Sequence, residues 1–292
     1  MDPTTAMYVS QGVHGIAYGM VLFLLASGLT LILGMMGILN LAHTGFFMLA
    51  AYFGYQMVQW TGSYWAALAA APVIAAGFGV LMERFLLKKV HAYGPMAELI
   101  LTMGVSLVIL DGVKVVWGSQ SLPLAPPESL QGLIHVLGMP YPVYRLFIIG
   151  LSLLVLVIMA WLLYRTRLGM IVRAAVSDAQ MVDALGINVP VVFMLVFGIG
   201  TWMAGVAGVA IAPILTVSPG LANQMGMDAF IVIIVGGFGS IGGAFLVSLI
   251  CGLLSSYRIQ FLPQYSAVLI FIFMAVVLAV KPEGLFGEKH HE

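Results

Sequence analysis

The stretch GMMGILNLAHTGFFMLAAY, residues 34 to 52, decides what kind of fold this chain can adopt. It lies in a long apolar region, because Asp2 is the only formal charge before Glu83. The polar residues at its centre are Asn40, His43 and Thr44. Glycines flank them, and each glycine weakens a helix by about 1 kcal/mol relative to alanine. The stretch therefore predicts an apolar helix that is interrupted near its middle.

The composition excludes an ordinary soluble domain. Of the 292 residues, 62% are hydrophobic and 8% are charged, whereas about a quarter are charged in a typical soluble domain. About 20 apolar residues cross the hydrocarbon core as a helix. We therefore predict an all-α fold, a polytopic transmembrane helical bundle of about eight spans with one or two broken or re-entrant helices. It is predicted to form a single transmembrane domain over residues 1 to 292.

Apolar runs between turn signals place the spans. They lie near 12 to 34, 40 to 59, 64 to 87, 96 to 117, 143 to 164, 190 to 212, 228 to 256 and 263 to 280. Basic residues concentrate in cytoplasmic loops, and here they follow the third and fifth spans. They are Arg84, Lys88, Lys89, Arg165, Arg167 and Arg173. The loop from Gly118 to Pro142 has no Lys or Arg and is predicted to lie outside.

Eight simple crossings would leave Lys281 and Lys289 on the outer side, against the charge rule. The glycine-rich sequence GGFGSIGGAFLVS, residues 236 to 248, resolves this conflict if the chain dips in and returns there. Two interrupted segments, one in each half of a transport protein, indicate the translocation path. The predicted path residues are Asn40, His43, Thr44, Gly239 and Ser240. The alternative for Asn40 and His43 is hydrogen bonding between neighbouring helices.

The other polar residues favour structural roles. Asp111 and Lys114 are three apart and are predicted to form an ion pair. Asp228 either binds a proton or cation or complements the dipole at a helix N-terminus, and we favour the dipole. Cys251 is predicted to be a packed thiol. His43 has no ligand spacing with another histidine, so no metal site is predicted. Zero net charge without basic runs argues against nucleic acid as a partner.

The loop TRLGMIVRAAVSDAQMVDALGINVP, residues 166 to 190, contains a predicted short helix. Ser177 and Gln180 have the spacing of a capping box, Asp178 suits the N-terminal end, and Gly186 stops the helix. An apolar stripe is formed by Met181, Ala184 and Leu185. This stripe needs an apolar groove to cover it, which predicts a soluble partner. The alternative is a helix on the membrane surface, although such helices usually carry more Lys and Arg.

The same loop resembles the coupling motif of bacterial ABC importer permeases, an alanine pair followed by a glycine and then a proline. The matching residues are Ala174, Ala175, Gly186 and Pro190. The sequences NLAH, GGFGSIGG, LGINVP and KPEGLFG are similar to those of the high-affinity branched-chain amino acid permease family, in its shorter, LivH-type subunit. The resemblance covers nearly the whole chain.

The resemblance implies a permease subunit with four kinds of partner. These are a second, LivM-like permease subunit, two cytoplasmic ABC ATPase subunits, an extracytoplasmic substrate-binding protein and the membrane lipid. It implies that the loop around residues 165 to 189 couples to the ATPases. The coupling residues would be Ala174, Ala175, Ser177, Asp178, Met181, Leu185 and Gly186. No cofactor is expected on this chain, because ATP and Mg²⁺ belong to the partners and no G-x-x-x-x-G-K-[ST] phosphate loop occurs here.

Two competing functions follow from the sequence. The first is an ion-coupled secondary transporter of small polar solutes, which needs a titratable intramembrane site such as Asp228 or Asp111. The second is an intramembrane enzyme, but no catalytic residue is predicted, since neither H-E-x-x-H nor paired catalytic carboxylates occur in the spans. We favour an ATP-driven importer for branched-chain or related amino acids.

Overall fold

The computed structural model describes residues 3–136, 139–261 and 266–287, and it is almost entirely helical. The helices are α1 (Pro3–Met36), α2 (His43–Thr61), α3 (Tyr64–Met82), α4 (Pro95–Trp117), α5 (Val143–Arg165), α6 (Arg167–Ser177), α7 (Ala179–Ala184), α8 (Val189–Leu215), α9 (Leu221–Gly236), α10 (Ile241–Phe261) and α11 (Ser266–Val280). Irregular helical turns from Glu83 to Tyr93 prolong α3.

Helices long and apolar enough to cross a membrane confirm the predicted class. Within the described residues there are 5 of them, and three shorter apolar helices accompany them. The long ones are Met7–Met36, Tyr64–Tyr93, Pro95–Trp117, Val143–Arg165 and Val189–Leu215. The shorter ones are Leu221–Gly236, Ile241–Tyr257 and Val268–Val280. The start of the predicted last span, residues 263 to 265, lies outside the described residues.

Close contacts between glycines fix the direction of the central helices. A side chain at Gly28 would meet the Gly200 carbonyl, and one at Gly252 would overlap the Gly15 carbonyl oxygen. Since Phe23 also packs edge-on against Phe245, α1 runs antiparallel to α10. Small residues allow such backbone approach, which stabilises helix pairs in membranes. The glycines therefore set which helices are neighbours in the core.

The bundle has two distinct ends. At one end, called the inner end here, lie the end of α3 and the short helices α6 and α7. At the other, the outer end, an antiparallel strand pair joins β1 (Leu133–Val136) to β2 (Met139–Pro142), and Leu122 pairs with Val217. This agrees with the opposite sides predicted for the two kinds of loop. The strand pair is an addition to the all-α prediction, because two four-residue strands, of which β2 contains prolines, are too short to give an alternating pattern.

The predicted span from 228 to 256 is in fact two helices. α9 begins at Leu221 and ends at Gly236, and α10 begins at Ile241. At 1.5 Å per residue they rise about 24 and 31 Å. The chain therefore turns at the glycine cluster, as predicted, and returns to the outer end. The segment after α11 reaches the inner end, where the Leu285 N–H donates to the Val235 carbonyl oxygen at 2.8 Å.

The earlier start of α9 corrects the interpretation of Asp228. This residue lies inside the helix, is 8% exposed, and accepts a hydrogen bond from the Tyr18 hydroxyl at 2.9 Å. The prediction of an N-terminal, dipole-complementing carboxylate is wrong, because the polar sequence before Asp228 is helical too. The predicted ion pair is confirmed, with 3.0 Å between the Lys114 Nζ and an Asp111 oxygen. Cys251 is buried, as expected of a packed thiol.

Candidate functional site

The interruption in residues 34 to 52 is a non-helical segment that joins α1 to α2. Gly37 ends α1 with a φ of 67°, a conformation that glycine adopts without the strain of a Cβ. The Asn40 side-chain oxygen accepts from the Ala42 N–H at 3.0 Å, and the Asn40 carbonyl accepts from the His43 N–H at 3.2 Å. Asn40 therefore lies before α2, and it satisfies backbone donors at the break.

α2 begins beside the middle of α1 instead of at its end. The His43 Nε2 lies 3.0 Å from the carbonyl oxygen of Leu25, 11 residues before α1 ends at Met36. The connecting segment must therefore run back along α1 before α2 starts. Within the described residues, the Asn40 Nδ2 and the His43 Nδ1 are buried without a hydrogen-bond partner. Buried polar atoms without a partner are costly, and each one calls for an explanation.

The second interruption lies against the first. Between α9 and α10, Gly237 and Gly239 have φ values of 97° and 78°. A Cβ on Gly34, near the end of α1, would lie 2.8 Å from the Gly239 Cα. The Ser240 hydroxyl accepts from the Gly243 N–H at 3.1 Å and caps α10. The two breaks thus meet at Gly34 and Gly239.

The predicted path residues do not form one cluster. Thr44 contacts Gly226 of α9, since a Cβ on that glycine would lie 3.1 Å from the Thr44 Cγ2. Asn40 and His43 are fully buried, whereas Gly239 is exposed. The structure makes Ser240 the cap of α10 and places the Asn40 side chain on the Ala42 N–H ahead of α2. It gives His43 a contact with the neighbouring helix α1. Their assignment to the solute path remains a prediction.

The role of Asn40 as an acceptor can be tested. We expect Asn40→Leu to lower the free energy of unfolding by about 1–3 kcal/mol, because the buried Ala42 N–H loses its partner. Asn40→Ser keeps an oxygen near this N–H and should cost less. Thermal unfolding of the two purified variants in one detergent measures the difference. Equal melting temperatures for both variants and the unaltered chain would contradict the role.

The inner loop contains two helices instead of the one predicted. Ser177 is the last residue of α6, and Asp178 is the cap of α7, with its side chain accepting from the Met181 N–H at 2.9 Å. The predicted capping box is therefore wrong by one residue. Gly186, with a φ of 84°, stops the helix as predicted. The Ile187 N–H donates to the Val182 carbonyl at 3.3 Å, which completes a Schellman motif.

The inner helices expose apolar side chains. Met181 is 59% exposed and Leu185 is 74% exposed, whereas Val182 is buried. In α6, Ala175 is buried and Ala174 is exposed. Beside α7 lies an open groove of about 430 Å³. Its lining residues are Lys88, Asp183, Gly186, Ile187, Asn188 and Pro190. The predicted stripe thus faces away from the bundle and has no covering helix within the described residues.

A cavity at the outer end was not predicted. It has a volume of about 290 Å³ and lies where α1, α5, α8, α9 and α10 come together. Arg145 lines it, and its guanidinium donates to the His14 Nδ1, which also lies 3.2 Å from the Tyr141 hydroxyl. Burial raises the pKa of Tyr141, so this hydroxyl stays protonated. The sequence signal was Arg145 itself, a basic residue after an outer loop that has none.

The chain is a multi-pass helical bundle in which two interrupted apolar segments touch each other. Paired interrupted segments of this kind are typical of membrane transport proteins. The chain belongs to the family described as "Branched-chain amino acid transport system / permease component", whose model matches residues 13–278. The chain is therefore a multi-pass protein of the cell (inner) membrane.

Curated relatives span nearly the whole chain. It is 28% identical over 304 residues to the permease protein BraD of Pseudomonas aeruginosa, covering 99% of both chains. It is 28% identical to the permease protein LivH of Escherichia coli, with 98% and 97% covered. It is 24% identical to LivM of the same organism, covering 95% of this chain and 70% of LivM. All three are named as high-affinity branched-chain amino acid transport permeases. No solved structure matches the chain.

Proposed function

We propose that this chain is the membrane-spanning permease subunit of an ATP-driven importer for branched-chain or related amino acids. The observation that carries the proposal is the uncovered apolar stripe on α7, in a chain that belongs to a transport permease family. Hydrolysis of ATP takes place on two separate cytoplasmic ATPase subunits, because the chain has no phosphate loop. A substrate-binding protein delivers the solute at the outer end.

The contacts of α6 provide a mechanical route from α7 into the bundle. A Cβ on Gly169 would overlap the carbonyl oxygen of Leu163, so α6 lies directly against the end of α5. Arg173 of α6 donates to the same carbonyl oxygen. A displacement of α7 is therefore carried to α5 through stiff backbone contacts. Closure of the ATPase pair would shift the population between inward-open and outward-open bundles.

The second permease subunit is proposed to be a LivM-like relative of this chain. LivM of Escherichia coli matches 95% of the chain at 24% identity, so the two subunits can share one architecture. Two related permeases would each present one helix equivalent to α7 at the inner end, and each of these helices would contact one ATPase. The solute path then alternates its exposure near Asn40, His43, Thr44, Gly239 and Ser240.

Reconstitution tests the proposed function. The chain is placed in proteoliposomes, alone or with the second permease and the ATPases, and uptake of radiolabelled leucine is measured with the loaded binding protein outside. We expect uptake only from the complete set and only with ATP inside. A matched sample with ADP is the control. Uptake by the chain alone on a proton or sodium gradient would contradict the proposal and indicate a secondary transporter.

A further inference from the structure

The outer cavity is lined by one positively charged side chain, that of Arg145. Among the described residues, Arg145 has no carboxylate within ion-pair distance, and its contacts are the side chains of His14 and Tyr141. By contrast, Lys114, another basic residue toward the outer end, is paired with Asp111 at 3.0 Å. A guanidinium held in place at the wall of a cavity is well suited to a carboxylate, because its planar fork can donate two parallel hydrogen bonds.

A second polar group in the cavity also lacks a partner. Ser255 is 6% exposed, and its hydroxyl has no hydrogen-bond partner within the described residues. Its neighbour Ser256 differs, because that hydroxyl lies 2.7 Å from the Gln11 main-chain carbonyl oxygen and 2.8 Å from its side-chain oxygen, both of which are acceptors. A buried hydroxyl without a partner is unfavourable unless something else bonds to it. Ser255 therefore indicates a ligand as the missing partner.

The remaining walls fit a solute with one polar and one apolar end. Ile211, Ile214 and Leu215 of α8 form an apolar side, and the exposed Gln224 of α9 contributes an amide at the rim. The volume of about 290 Å³ is near the lower end of the roughly 300–1,000 Å³ that small-molecule sites occupy. The cavity thus has room for one small molecule.

We propose that this cavity is an outer binding site for the transported solute, an α-amino acid with an apolar side chain. Arg145 binds the carboxylate of the amino acid, and Ser255 donates a further hydrogen bond to it. The Gln224 amide oxygen accepts from the ammonium group. The apolar wall that includes Ile214 contacts the side chain of the amino acid. The assignment of the solute class rests on the proposed function. Arg145 lies in the first turn of α5, whose other end contacts α6, so one rigid helix links this site to the inner loop.

Uptake by the complete transporter is the first test. Arg145→Gln is expected to lower ATP-dependent leucine uptake at least about tenfold, because a charge-assisted hydrogen bond is lost. Arg145→Lys should restore part of it, and Ile214→Trp should block uptake by filling the cavity. Lys114→Gln, which changes an exposed ion pair, should behave as the unaltered chain. Copurification of the ATPases shows whether each variant assembles. Normal uptake by assembled Arg145→Gln and Ile214→Trp would overturn the proposal.

Labelling provides the second test. Cys251 is the only cysteine, so Cys251→Ala provides a background in which Ser255→Cys reacts alone with a small thiol reagent added outside. We expect leucine to slow this labelling at least about tenfold and isoamylamine, which lacks the carboxylate, to leave it unchanged. Labelling that leucine does not slow would overturn the site. Failure of the proposed function is distinguishable, because the unaltered transporter would then lack ATP-dependent uptake while leucine still protected the cysteine.

Discussion

Met181→Glu and Leu185→Glu are each expected to reduce ATP-dependent uptake to background while the permease remains inserted and folded. Both side chains are exposed at the inner end, so the folded bundle accommodates the charge at little cost. In the assembled transporter the same positions are expected to lie in an apolar groove of the ATPase. A carboxylate buried there without a partner is strongly unfavourable. Uptake in proteoliposomes and the amount of copurified ATPase measure the effect.

Gln180→Glu is the matched control for these two variants. It adds the same charge to the same short helix, about 100° around the helix axis from Met181, and Gln180 is exposed. We expect it to retain most of the uptake and the bound ATPase. If all three variants bind ATPase and transport as well as the unaltered chain, the stripe on α7 is not the coupling surface.

Gly252→Val is expected to prevent the bundle from folding. A Cβ at this position would overlap the carbonyl oxygen of Gly15 and approach the Gly19 backbone to 2.5 Å. Backbone on both sides cannot move aside as a flexible side chain can, so α10 must separate from α1. Overpacking typically costs about 1–3 kcal/mol, and we expect the upper end or more here. Fluorescence-detected gel filtration should show loss of the monodisperse peak.

Gly112→Val controls for the added volume and the β-branched side chain. Gly112 also lies within a membrane-spanning helix, α4, but a Cβ there meets no atom within 4 Å. This variant should give a monodisperse peak of nearly normal height. Equal peaks for the two variants would contradict the close approach of α1 and α10 at Gly252.

The sequence predicts the helices well where the apolar runs are long and end at charges or prolines. It also locates both breaks, because glycine and buried asparagine are unfavourable inside a helix. It misplaces the start of α9 because Asn223 and Gln224 interrupt the apolar pattern there, although the chain is helical through both. The cap of α7 is off by one residue, because Ser177 and Asp178 are both good caps and only the backbone angles distinguish them.

The outer cavity shows the limit of sequence reasoning. Its residues come from five helices that are far apart in the chain, and nothing in the apolar pattern tells which helices are neighbours. Arg145 stands out in the sequence, but the uncompensated hydroxyl of Ser255 becomes visible only once its surroundings are known. The inner stripe was easier to predict, because Met181 and Leu185 belong to one continuous segment.

The segment that follows α11 has a consequence for biosynthesis. Leu285 and Phe286 donate their N–H groups to the carbonyls of Val235 and Gly236 at 2.8 and 3.1 Å. Gly284, with a φ of 81°, lies so close to Gly237 that a Cβ on it would be 2.7 Å from the Gly237 nitrogen. These carbonyls lie at the end of α9, where the helix itself supplies no donor, and the donors they bond to follow about 50 positions later in the chain. The hydrogen bonds that close the turn at the glycine cluster thus form late in biosynthesis, after α10 and α11 have been synthesised.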